Sequence, residues 1–174
     1  AAVRSQLESA QAAWEQTAGS QSDTSPAALE HLPLDQSNVG VEADRTVQFT
    51  DGVIDGAAAF DGNGCIRIHQ SSIEFKRRQP FTISAWVYPE SAGCVISKTD
   101  SVRELRGFDI TLRKGKVAIN LIHRWKRNAI QVTSQSSIAM RQWSHLTVSY
   151  DGSSGAKGVR VFLNGTALPI VVSL

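Results

Sequence analysis

From residue 29 to the end, this chain is cut by turn chemistry so often that no helix of ordinary length fits between the cuts. Short apolar or alternating runs fall near 29–34, 46–49, 57–60, 66–69, 81–88, 95–98, 108–112, 116–122, 130–133, 144–150, 159–163 and 167–171. Between them stand pairs such as Lys114-Gly115 and Asn164-Gly165, where a two-residue hairpin needs positive φ, and the Asp61-Gly62-Asn63-Gly64 and Asp151-Gly152 turns. Alternation assigns faces: Phe108, Ile110 and Leu112 share one side, as do Val117, Ile119 and Leu121, with Asp109 and Asn120 opposite. The stretch 81–88 is apolar on both sides and is expected to be a central strand, with Trp86 and Trp143 in the core. About a dozen strands without an intervening helix predict an all-β domain, a sandwich of two antiparallel sheets or jelly roll.

At 174 residues and 41% hydrophobic content the chain is long enough for one domain with a substantial core. Ahead of the β region, 5–16 has helix formers with Leu7, Ala10 and Trp14 at helical spacing, and 18–26 reads as a Gly/Ser/Asp/Pro linker. The expected organisation is an N-terminal helix and linker over 1–25, then the β domain over 26–174. No apolar run reaches the length of a membrane-spanning helix, and 1–17 lacks the basic-then-apolar layout of a signal peptide, so no membrane association is expected.

The small net charge of +2 conceals an asymmetry. Residues 1–61 hold two basic residues, Arg4 and Arg45, against ten acidic ones, a net of −8; residues 62–174 hold sixteen against six, a net of +10. Half of all the basic residues lie between Lys98 and Arg127. They form either a surface that concentrates a polyanion or the solvated charges that protect edge strands. A basic patch alone makes no nucleic-acid module, so none is expected. Cys65 and Cys94 have no zinc, haem or redox spacing, and are either paired across neighbouring strands or buried free thiols.

The succession Leu32-Pro33-Leu34-Asp35, Gly56-Ala57-Ala58-Ala59-Phe60-Asp61-Gly62, Phe81 to Pro89 (FTISAWVYP), Trp143 to Gly152 (WSHLTVSYDG) and Val161-Phe162-Leu163-Asn164-Gly165 resembles the laminin G-like, concanavalin A-like lectin/glucanase superfamily over roughly 29–174. Arg106 to Ile110 and Leu121 to Ala129 are similar to the version found inside large bacterial secreted proteins that also carry a c-type cytochrome domain and two domains of unknown function. The resemblance implies a concanavalin A-like jelly roll and a periplasmic or secreted location. Family members usually continue with a glycine-containing strand and a final strand that are not found before Leu174, so an uncovered sheet edge and self-association are expected.

A glucanase of this superfamily needs two carboxylates flanking a cleft, commonly as E-x-D-x-x-E, and the sequence has no such motif. Asp109 has no second acid on its strand and is expected to pair with Arg103, Arg106 or Arg113; His69, His123 and His145 show no triad spacing. The chain is therefore read as not an enzyme. Laminin G-like domains also bind calcium, which makes Asp61 and Asn63, two oxygen donors at alternate positions, the weak metal candidates. A glycan site needs an aromatic platform, hydrogen-bonding side chains and, for acidic sugars, cations. Residues 120–128 (NLIHRWKRN) supply all three, which nominates Asn120, His123, Arg124, Trp125, Arg127 and Asn128 in a loop at a sheet end. The expected function is a non-catalytic module that binds carbohydrate, an anionic polysaccharide included, within a larger extracytoplasmic protein. The alternative is a structural module or one that binds a partner protein domain, and a glycoside hydrolase is the third reading.

Overall fold

The computed structural model describes residues 30–35, 41–68, 78–125 and 127–173. The chain divides between residues 31 and 32, and the account below is of the second unit. The helix expected over 5–16, its Trp14, the linker that follows, and Lys126 lie outside the described residues.

Thirteen strands are described: β1 (Val41–Ala43), β2 (Gln48–Asp51), β3 (Gly56–Ala59), β4 (Ile66–Ile68), β5 (Phe81–Val87), β6 (Gly93–Asp100), β7 (Arg106–Arg113), β8 (Lys116–Arg124), β9 (Asn128–Ser134), β10 (Ser144–Tyr150), β11 (Val159–Leu163), β12 (Thr166–Leu168) and β13 (Ile170–Val172). A short 3-10 turn, Ala156–Gly158, precedes β11. Every pairing among them is antiparallel. One sheet has five strands in the order β13-β9-β8-β7-β6, a second has four in the order β12-β11-β10-β5, and β1-β4 and β2-β3 form two-stranded ribbons.

Register explains the core. Ile110, Ile119 and Val132 lie side by side on the five-stranded sheet, and Ile83, Val148, Val161 and Leu168 do so on the four-stranded sheet. These two rows belong to one apolar cluster, in which Val117, Ile119, Val132, Val148 and Val161 are at most 1% exposed. Each such side chain contributes roughly 1.5–3 kcal/mol by leaving water. Phe81 packs on Phe108 and Tyr150, with centroids 6.3 and 5.6 Å apart. Ser134, the polar residue on the inner row, is satisfied by accepting from the Val117 amide and donating to the Ser136 carbonyl.

The turns follow their chemistry. Lys114 (φ 52°) and Gly115 (φ 76°) join β7 to β8, and Asn164 (φ 49°) and Gly165 (φ 78°) join β11 to β12, with both central residues in the left-handed region in each case. The Asn164 side-chain oxygen also accepts from the His145 amide at 2.8 Å.

Several expectations need correction. No strand forms over 30–35, where Pro33 offers no amide and Leu34 takes φ 57°. The run 167–171 is two strands: Pro169 ends the ladder, and the chain passes from the four-stranded to the five-stranded sheet. Among the described residues β5 is not central but stands at the end of its sheet. Its Trp86 is 45% exposed, and Trp143 is half-buried rather than core. Trp86 instead packs on His145 and Tyr88 on Trp143, on the face away from the core.

The β1-β4 ribbon is tied by Asp44, whose carboxylate accepts from the Arg67 guanidinium at 2.6 Å and from the Cys65 amide at 2.8 Å. Those bonds, Arg67 foremost, hold the Asp44 pKa below its ordinary value. A depressed carboxylate pKa stabilises the fold above the unfolded-state pKa, and that contribution is lost as pH falls through the folded value. Asp44→Asn is thus expected to lower the urea midpoint slightly at pH 7, with the difference from wild type closing on acidification; a gap that widens in acid contradicts this account.

Candidate functional site

Two hairpin tips meet at one end of the five-stranded sheet. The first is the turn from β6 to β7. The Asp100 carboxylate accepts from the Val102 and Arg103 amides at 3.0 and 3.2 Å, and Glu104 and Leu105 follow in the left-handed region, at φ 53° and 60°. The second is the turn from β8 to β9, where a bulge between Ile122 and Arg124 sets off His123 and the Arg127 amide closes onto the Arg124 carbonyl at 3.1 Å. The Trp125 amide donates to the Glu104 carbonyl at 3.2 Å, joining the two tips. Arg106 reaches across the same junction, its Nε donating to the His123 carbonyl and its Nη2 lying near His123 Nε2, both at 3.5 Å.

Between the tips lies an open cleft of about 330 Å³ lined by Arg103, Glu104, Arg106, His123 and Arg124. Three arginines and Glu104 line it, and the Asp100 carboxylate pairs with Arg103 Nε at 3.6 Å, so a small positive excess is left for an anion, and planar arginine forks suit carboxylate or sulfate oxygens. Arg127 and Asn128 are exposed beside it, and Trp125 is half-buried in the turn. Of the residues nominated from sequence, His123 and Arg124 line the cleft, and Trp125, Arg127 and Asn128 adjoin it through the turn. They sit on strand ends and a two-hairpin junction rather than in one loop. Sequence reasoning missed Arg103, Glu104 and Arg106 as members; the signal was there in the antiparallel order, which brings the β6–β7 turn beside the β8–β9 turn.

Asn120 is not part of this group. It sits in the middle of β8, 1% exposed, in a polar row on the face away from the sandwich core. Its amide nitrogen donates to Asp109 Oδ1 at 2.7 Å, and its oxygen accepts from Gln131 Nε2 at 2.9 Å. Asp109 thus has Asn120 as its hydrogen-bonded neighbour where an arginine partner was expected. Its cross-strand neighbours are Ser97 and Asn120, so no second carboxylate stands beside it among the described residues.

The basic residues of 98–127 do not make one surface. Arg113, Lys114 and Lys116 occupy the far end of the sheet from Arg106, about 23 Å away at strand rise.

In the Asp61-Gly62-Asn63-Gly64 turn, both Asp61 carboxylate oxygens accept from Asn63, from its backbone amide at 2.8 Å and its side-chain amide at 3.2 Å. Those bonds hold the Asp61 pKa below the ordinary value. Among the described residues no three His, Cys, Asp or Glu side chains come together as a metal site. Cys65 and Cys94 are not on neighbouring strands and are free and exposed at their surfaces. The Cys94 thiol lies 3.9 Å from the Ile110 carbonyl, and partial desolvation, with the Asp109 charge second, raises its pKa.

A sandwich of two antiparallel sheets is an architecture found in lectin domains, among others. The family model of the concanavalin A-like lectin/glucanases superfamily matches residues 60–169, and the chain belongs to that superfamily. Its domains commonly serve as binding modules, and glycosidases occur among them. Comparison with curated proteins and with solved structures gave no significant match. Among the described residues no helix is long and apolar enough to cross a membrane.

Proposed function

We propose that this domain is a non-catalytic module that binds an anionic polysaccharide on behalf of a larger periplasmic or secreted protein. The observation that carries the reading is the cleft in which Arg103, Arg106 and Arg124 converge with His123 beside Trp125. The guanidiniums pair with sugar carboxylate or sulfate, while the indole offers an apolar face to a pyranose ring. Catalysis is disfavoured because hydrolysis needs paired carboxylates, and Asp109 has amide and hydroxyl neighbours across its strands. Glu104 is the one carboxylate among the residues that line the cleft.

The test is binding to an array of neutral, carboxylated and sulfated polysaccharides at low and high salt, with Trp125→Ala in parallel. A defined acidic glycan class that stays bound at high salt, weakened about tenfold by the substitution, is the expected outcome. Binding that vanishes with salt reduces the cleft to nonspecific attraction. No binding at all shifts the function to protein interaction or spacing.

A further inference from the structure

Among the described residues four strands end the two sheets of the sandwich: β6 and β13 on the five-stranded sheet, β5 and β12 on the four-stranded one. The end of a sheet presents amides and carbonyls that invite another strand, and folded proteins blunt such ends with charge, bulges, proline or short length. Three of the four are blunted. β6 has a register shift between Cys94 and Ile96 and carries Lys98 and Asp100, while β12 and β13 have three residues each, with Pro169 between them. β5 has none of these devices. Its seven residues, Phe81–Val87, run in unbroken register along β10 and include no charged residue, glycine or proline.

The side chains of β5 show the same opening. On β10, Leu146, Val148 and Tyr150 face the core and are at most 5% exposed. Their neighbours on β5, Ala85, Ile83 and Phe81, face the same core and are only half-buried, as is Val87. One more strand beside β5 covers them, provided that it alternates apolar and polar residues in the same phase. β5 itself meets that demand. Paired antiparallel with its own copy about a two-fold axis at Ser84, it sets Phe81 opposite Val87 and Ile83 opposite Ala85 on the core side, and Thr82 opposite Trp86 on the outer side. Each of these pairs matches a larger side chain with a smaller one, and no like charges meet, because the strand has none. The two sheets, four strands from each copy, become one, and both open ends are used up, so association stops at two copies. We propose that β5 is a homodimer contact, pairing with β5 of a second copy of this chain to form a continuous sheet. It stands apart from the reading of the cationic cleft.

The test is sedimentation velocity of the full chain over a wide concentration range, where a discrete monomer–dimer equilibrium is expected. Ser84 is exposed, so Ser84→Lys leaves the monomer intact but sets two ammonium groups side by side at the axis, and the dimer is expected to weaken about fivefold. Ser84→Glu alone weakens it likewise, whereas the two variants mixed form a heterodimer tighter than the homodimer of either. Thr166→Lys, exposed on β12 at the opposite end of the same sheet, leaves the equilibrium unchanged. A wild type that stays monomeric at every concentration overturns the proposal, as does open-ended aggregation in place of a dimer. So does a dimer that Ser84→Lys and Thr166→Lys weaken alike, or one whose Lys and Glu variants gain nothing on mixing.

Discussion

Replacing Gly107 by alanine is expected to cost at least about 3 kcal/mol of stability, read as a fall in the urea midpoint, and to abolish the cationic cleft with it. Gly107 sits at φ 139°, which side-chain-bearing residues rarely adopt. A Cβ there overlaps the Lys98 carbonyl oxygen, comes within 2.8 Å of the Lys98 carbonyl carbon and lies 3.1 Å from the Thr99 Cα. All three are backbone atoms of the paired strand, in the register that sets Thr99 opposite Gly107, so no soft side chain can yield. Relief requires β6 and β7 to part immediately beside Arg106, whose guanidinium spans the two hairpin tips. Gly165→Ala is the control. Gly165 also has a positive φ, 78°, but a methyl group at that position meets nothing within 4 Å, so only the conformational cost of about 1 kcal/mol applies. A Gly107→Ala midpoint equal to that of Gly165→Ala refutes the steric account.

How much of this is legible in sequence depends on whether the information is local. The hairpins at Lys114-Gly115 and Asn164-Gly165, the inward sets Phe108/Ile110/Leu112 and Val117/Ile119/Leu121, and the family resemblance rest on spacing within a few residues, and the structure agrees with them. The place of β5 is not legible in that way. An apolar run such as 81–88 reads as central whether its second face is covered by another layer or its rings cover one another. Here Trp86 finds His145 on β10, and Tyr88 finds Trp143 just before it, far along the chain. Pro169 is a visible signal, and it breaks the single strand expected over 167–171 where a missing amide must break a ladder.

The cleft shows the same division. His123, Arg124 and Trp125 stand out because aromatic, basic and amide residues crowd together in 120–128. Arg103 and Arg106 join them through a turn whose geometry is set by the Asp100 cap and two consecutive left-handed residues, Glu104 and Leu105, which no residue type there demands. Asn120 falls within the same sequence window but lies three residues up the strand from His123 and is buried. Proximity in sequence puts it with the tip, whereas alternation and register put it in the polar row with Asp109 and Gln131.

That row gives the second large effect, through Asn120→Asp, a change of one atom type at constant shape. A carboxylate at 109 can only accept, so the Asn120 amide nitrogen must face it, and the Asn120 oxygen must then take the Gln131 amide. A protonated aspartic acid at 120 preserves both roles, its hydroxyl donating to Asp109 and its carbonyl accepting from Gln131. An ionised one sets two carboxylates at 2.7 Å where 1% of the residue meets solvent, so the introduced group is expected to stay protonated well above its unfolded-state pKa. Below that unfolded-state value the substitution costs little. As pH rises above it, the unfolded chain ionises while the folded one does not, and stability falls by about 1.4 kcal/mol for each unit until the folded pKa is reached, up to roughly 4 kcal/mol at pH 7. Urea unfolding of wild type and Asn120→Asp at several pH values between mildly acidic and neutral measures the slope directly. A gap between the two proteins that does not change with pH shows that the side chain at 120 has room to turn its charge toward water, and that the row from Asp109 to Gln131 is looser than its hydrogen bonds imply.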